Sequence, residues 1–228
     1  MALDFDGVDD QVDHGDIAGI DSGSALSVAY WLFYDTLATA DNHIGKTQAG
    51  VNFSFISGSN AATNTTWDLQ IPAGTITAVE GMFETGVWHH YGFTYDGAVA
   101  TTQKIQAYRD GVLISTASYA AHTTSMPDTG ANGVIVAGNG GDASRAFPDA
   151  KIANVKLWTA ALTAAEITQE THSHRPVRTA DLRLWAPYES RTADPTDYSG
   201  AGNHGTITGA LVTDGPPVGG GFPVQVIP

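Results

Sequence analysis

Ala25-Leu26-Ser27-Val28-Ala29-Tyr30-Trp31-Leu32-Phe33 is the stretch on which the fold turns. It is nearly continuous in apolar character and ends well short of a membrane span, which is what a strand deep inside a sandwich requires. Outward from it, Val51-Asn52-Phe53-Ser54-Phe55-Ile56 and Trp88-His89-His90-Tyr91-Gly92-Phe93-Thr94-Tyr95 show the period-two pattern of strands. Further strands are expected at Ile105 to Arg109, Val112 to Thr116, Gly133 to Ala137 and Ala150 to Trp158. Asp96-Gly97 and Asp110-Gly111 lie between strand-like residues, and such pairs favour the positive φ angles of tight hairpin turns. One segment reads as helix, because Thr163-Ala164-Ala165-Glu166 has capping-box spacing. The rhythm predicts an all-β fold: two antiparallel sheets packed as a sandwich, with one helix of two or three turns.

A chain of 228 residues suits a single domain with ample core. Lys and Arg number 10 against 24 Asp and Glu, a formal charge of −14, so a nucleic acid would meet a repulsive field. The absence of cysteine excludes disulfides, thiolate metal sites and a Cys nucleophile. Met1 to Asp6 lack the basic and apolar regions of an export signal, and no apolar run reaches about 18 residues, so no membrane partner is expected.

Several segments, taken in order, carry a resemblance. Leu3-Asp4-Phe5-Asp6-Gly7-Val8-Asp9-Asp10-Gln11-Val12 is similar to an F-D-G-x-D-D-x-V strand, with Gln11 where an aromatic residue is usual. Leu26 to Trp31, Gly86-Val87-Trp88-His89-His90-Tyr91 through Tyr95-Asp96-Gly97, Tyr108-Arg109-Asp110-Gly111-Val112-Leu113, and Ile152 to Trp158 followed by Ala161 to Ile167 extend the match. Together they resemble the laminin G-like, concanavalin A-like jelly rolls of lectins and glucanases. Leu184-Trp185-Ala186-Pro187-Tyr188-Glu189 and Asp197-Tyr198-Ser199-Gly200-Ala201-Gly202-Asn203-His204-Gly205-Thr206 look like a segment that precedes the F-D-G strand in many relatives. Here it follows, which implies a circular permutation. Residues 1–212 would form the jelly roll, with 181–212 packed back on the N-terminal strand so that Leu3 to Phe5 lie beside Thr206 to Thr208. Residues 213–228 form a Gly/Pro-rich extended tail.

The resemblance implies a structural calcium ion held jointly by the Asp6 region and the Asp197 to Asn203 loop, with Asp6, Asp9, Asp10, Asp197 and Asn203 as ligands. The alternative is an acidic, solvated turn in which each Asp supports its own backbone. Trp31, Trp88, Trp158 and Trp185 fall in family segments and read as core. Trp67, beside a polar loop containing Asn64, reads as the sugar-stacking platform. His172 and His174 have metal-compatible spacing but read as surface residues with no carboxylate nearby in sequence. One of His89 and His90 should face the core. Glycoside hydrolysis needs two carboxyl groups roughly 5 to 9.5 Å apart. The five Glu (80, 84, 166, 170, 189) lack the E-x-D-x-x-E of related glucanases, and Glu80 and Glu84 read as a solvated rim, so no catalytic residue is expected.

Three roles stay open. Permuted jelly rolls with a Gly-Pro-Pro tail resemble tailed-phage virion proteins, which implies a non-enzymatic decoration protein assembled in the host cytoplasm and displayed on the virion surface. Phe222, Val224, Val226 and Ile227 would then meet other capsid chains or a second copy. A carbohydrate-binding, extracellular lectin-like module is the alternative, and a glycan-cleaving enzyme the third.

Overall fold

The decisive stretch becomes β3, and its period-two geometry sorts its residues into two environments. Leu26, Val28, Tyr30, Leu32 and Tyr34 enter the main core, while Ala29 on the opposite face joins a second, smaller apolar cluster. A computed structural model describes residues 1–38, 40–48, 52–59, 65–71, 76–100, 102–114, 121–130, 133–138, 146–189 and 194–217. Its elements in chain order are β1 (Ala2–Asp6), β2 (Gln11–Asp13), β3 (Ala25–Thr36), β4 (Asn42–Gln48), β5 (Asn52–Ser59), β6 (Trp67–Gln70), β7 (Ile76–Val79), β8 (His89–Asp96), β9 (Ile105–Arg109), β10 (Val112–Leu113), β11 (Val134–Val136), β12 (Asp149–Trp158), α1 (Ala164–Glu170), β13 (Leu182–Ala186), β14 (Thr206–Thr208) and β15 (Leu211–Thr213).

They form two antiparallel sheets. The first runs β10-β9-β8-β3-β12-β1-β15, and β13 also pairs with β12, beyond the residues that pair with β1. The second runs β14-β2-β11-β4-β5-β6-β7. Between them lies the main core, from Leu3 and Phe5 through Phe55, Leu69 and Phe93 to Leu157 and Leu184.

Two local expectations meet different outcomes. Asp110 and Gly111 take φ 53° and 77°, and Val112 pairs with Arg109, giving the two-residue turn in which both residues need positive φ. Asp96-Gly97 instead opens a longer connection to β9 with neither residue at positive φ, because Gly97 N donates to Ser24 O and Asp96 N to Lys104 O.

The helix begins as its sequence dictates. Thr163 Oγ1 accepts from Glu166 N (3.2 Å), and Glu166 Oε2 accepts from Thr163 N (2.7 Å). The bond from Thr163 N, with one from Thr163 Oγ1, holds the Glu166 carboxyl below its usual range. Ile167 packs α1 onto Ala29, Tyr108, Trp158, Leu162 and Leu182 on the outer face of the first sheet. A buried Lys156–Glu170 ion pair fixes the helix end, and Glu170 also accepts from Val177 N (2.7 Å).

The C-terminal segment returns to the N-terminal strands, but not in the expected pairing. Leu3 lies opposite Val212 and Asp4 opposite Leu211, whereas Thr206 to Thr208 pair with Asp13 to Gln11. The two short strands thus serve one sheet each, and Thr213, expected in the tail, is still in a strand opposite Ala2.

Candidate functional site

Trp67 is not a ligand platform. It is fully buried, its ring meets Tyr91 edge-on at 5.2 Å, and its Nε1 donates to Ser57 Oγ (2.8 Å). Asn64 lies outside the described residues, as do Phe222, Val224, Val226 and Ile227. From Ser57 a polar chain runs between the sheets. Ser57 Oγ meets Tyr30 OH (2.8 Å), Tyr30 OH meets His43 Nδ1 (3.0 Å), His43 Nε2 meets Tyr34 OH, and Tyr34 OH donates to Asp41 Oδ2 (2.6 Å). Since the single Tyr34 proton goes to Asp41, His43 donates to Tyr34 from Nε2. Burial opposes ionisation of Asp41, but His43 and hydrogen bonds from His43, Tyr34 and Ser59 outweigh it and hold the carboxyl below its usual range. Every member is buried, so the network resembles a proton relay in composition while serving as satisfied core.

The two adjacent histidines of β8 separate. His89 is bracketed by Glu84 (2.8 Å) and Asp110 (2.7 Å) at the surface. His90 is buried on the outer face against Trp31 (5.3 Å between rings), and its Nδ1 has no partner among the described residues. Burial, with Lys156 and His172 nearby, pushes His90 down to about 3.

The acidic N-terminus gathers as expected in part. Ligand atoms of Asp6, Asp9 and Asp10 lie within 4.8 Å of one another. Asp10 is buried against Gly209, which raises its carboxyl, although Oδ2 accepts from Asp6 N (3.0 Å). Asp6 and Asp10 border a hollow of about 480 Å³ shared with Asp4, Asp35, Asp149 and Lys151, where Lys151 pairs with Asp35 and Asp4. Three carboxylates are the right ligand type for calcium, which takes six to eight oxygens. Asp197 and Asn203 do not belong to this set. Asp197 accepts from Trp185 N (2.9 Å), Ser199 N (2.8 Å), Ser199 Oγ (2.8 Å) and Asn203 N (3.0 Å), which fills its lone-pair positions. Asn203 Nδ2 donates to Arg183 O (2.6 Å). Both residues staple the 197–203 loop to β13.

That staple builds a second hollow, of about 410 Å³, lined by His174, Arg175, Trp185, Pro187, Glu189 and Tyr198. In β13, Leu184 and Ala186 point into the core, so Trp185 points out. Its Nε1 donates to Asn154 Oδ1 (3.0 Å), which anchors the indole by its polar end. Tyr198 N donates to Trp185 O (2.9 Å), and the Tyr198 ring, 56% exposed, stands 5.7 Å from the indole at 55°. His174 approaches the indole edge-on at 6.1 Å, and its Nε2 meets Glu189 Oε1 (2.6 Å). His174 therefore does have a carboxylate partner, supplied by the fold from beyond β13. Trp185, expected in the core, is half-buried on the outer face, packed against the second apolar cluster.

Residues 6–168 match the family described as the concanavalin A-like lectin/glucanases superfamily. The chain belongs to this superfamily. Among solved structures, this superfamily member is similar to a candidate carbohydrate-binding protein from Bacteroides ovatus ATCC 8483, with a TM-score of 0.72 and 18% identity over 92% of this chain. It spans 58% of that protein's length. It is also similar to a heptameric SAP-like pentraxin of Limulus polyphemus, with a TM-score of 0.53 and 14% identity over 75% of this chain and 81% of the other. At such identities the likeness concerns the fold. No curated protein sequence matches the chain.

Proposed function

We propose that the protein binds carbohydrate without cleaving it, at the hollow between Trp185 and Tyr198. The observation that carries this reading is an anchored, half-buried indole beside an exposed phenol ring at a hollow edged by Arg175, His174 and Glu189. Aromatic faces pack on the apolar face of a pyranose, and nearby polar groups read its hydroxyls. The likeness to a candidate carbohydrate-binding protein supports it. Hydrolysis would require a pair of carboxyl groups, and this hollow holds one, Glu189, already engaged by His174.

Titration calorimetry of the full chain against a glycan panel tests the reading. Trp185→Ala should weaken binding at least about tenfold, roughly 1.4 kcal/mol. Unchanged affinity in that variant would remove the site. The virion-decoration role has its support in the tail, so removing residues 218–228 should leave glycan binding intact and, if that role holds, abolish attachment to a particle. The calcium expectation narrows to Asp6, Asp9 and Asp10. Melting in millimolar calcium should then exceed melting in EDTA, since a ligand bound by the native state alone stabilises it. Equal melting temperatures would dismiss the ion.

A further inference from the structure

We infer that the hollow selects a glycan bearing a carboxylate, a hexuronic acid, with the acid group paired to Arg175 while the sugar ring lies against Trp185 and Tyr198. The inference rests on the proposed carbohydrate reading and adds the class of sugar.

Its ground is the state of the cations. In a chain of net charge −14, carboxylate partners are abundant. The other described lysines and arginines are engaged. Lys46 meets Asp16 and Asp21, Lys104 meets Gly97 O, and Arg109 meets Met82 O and Asp110. Lys151 meets Asp35 and Asp4, and Lys156 meets Glu170. Arg178 meets Asp181 and Glu166, and Arg183 meets Thr159 Oγ1. Among the described residues, Arg175 alone has a cationic side chain with no hydrogen bond or ion pair to the chain, and it lines the hollow.

The neighbouring charges sharpen the consequence. Glu189, the carboxylate in the hollow, is taken by His174 at 2.6 Å, so it is engaged away from Arg175. What the hollow offers a ligand is therefore two aromatic faces and one uncommitted guanidinium. A guanidinium is a planar fork that matches a carboxylate with two parallel bonds. The overall negative charge repels densely charged polyanions, yet screening within about 8 Å at physiological salt leaves a short-range pair with a single acid group effective. A hexuronic acid combines the pyranose face and the planar acid in one residue.

The test is calorimetric titration of the full chain with neutral oligosaccharides that end in a single galacturonic, glucuronic or mannuronic acid, each beside its carboxyl-reduced neutral counterpart, using wild type, Arg175→Gln and Trp185→Ala. The expected result is an acidic oligosaccharide bound about tenfold more tightly than its reduced counterpart. Arg175→Gln should level the two by weakening the acid about tenfold more than its neutral partner. Arg175 is exposed, so circular dichroism should report an intact fold. Equal binding of acidic and neutral partners by wild type, or a preference that survives Arg175→Gln, overturns the inference. If Trp185→Ala still abolishes binding in that case, the carbohydrate reading stands. Binding to neither set overturns the inference, and loss of all binding across a wider neutral panel overturns the reading with it.

Discussion

Two clusters of aromatic rings, hydroxyls, a histidine and a carboxylate sit on opposite sides of the first sheet, and they differ in closure rather than in composition. The inner one joins Trp67, Tyr30, Tyr34, His43, Ser57 and Asp41 by a continuous run of hydrogen bonds with every ring buried. The outer one joins Trp185, Tyr198, His174 and Glu189, anchors the indole through Asn154, and leaves ring surface and Arg175 to solvent. The inner cluster spends its polar capacity on itself and so specifies the core. The outer one holds a surface in place and leaves part of that capacity unspent, which is what recognition requires.

The contrast breaks most readily at the tryptophans. Trp67→Ala should cost about 3 to 5 kcal/mol in denaturant unfolding, because it opens a core cavity and strips Ser57 of its donor. Its glycan affinity, measured on the folded fraction, should be unchanged. An affinity loss equal to that of Trp185→Ala would mean that the inner cluster takes part in recognition after all.

His90 sharpens the picture, since it is on the outer face yet sealed. Its value falls from 6.5 to about 3 through burial and the nearby Lys156 and His172. Between those values the unfolded chain binds a proton that the folded chain refuses. Stability is therefore full above about pH 6.5 and declines toward pH 3, by on the order of a few kcal/mol at the lower limit. His90→Phe should flatten this limb in urea melts at stepped pH, leaving the slope due to His14 and His122, which burial also lowers. An unaltered limb would show that His90 is not sealed.

The smallest expected effect on stability is at Tyr198. Tyr198→Ala should change unfolding free energy by no more than about 0.5 kcal/mol, as for exposed side chains generally, while weakening glycan binding several-fold. A stability loss above about 2 kcal/mol would make the ring a support of the fold rather than a recognition surface.

What was legible in the sequence follows from how local the signal is. β3 and β8 could be read because a long apolar or alternating run allows few alternatives, and α1 because Thr163 and Glu166 satisfy each other. Family membership assigns Trp185 a strand and not a face, and the polar loop beside Trp67 in sequence does not say which way its ring turns. The parity of Leu182-Arg183-Leu184-Trp185-Ala186 places Trp185 beside Arg183 on the outward side, and that signal was available. Local patterning does not bring residues 174, 189 and 198 together, since no period links them. Nor does it show that Asp197 would be consumed by backbone donors from its own loop and β13, because an acidic loop reads the same whether its carboxylates face inward or outward.

The return of β14 and β15 to β2 and β1 also sets a timetable. In each sheet an N-terminal strand is flanked by partners made much later: β1 lies between β12 and β15, and β2 between β11 and β14. At a synthesis rate of about 5 to 20 residues per second, the ribosome makes β1 roughly ten to forty seconds before Thr213. Until β12 is made, Leu3 and Phe5 have no strand partner, and Ala2 to Asp4 keep one unpaired edge until β15 follows. The acidic residues that punctuate this segment, Asp4, Asp6, Asp9, Asp10 and Asp13, would keep nascent chains on neighbouring ribosomes from pairing through it while it waits.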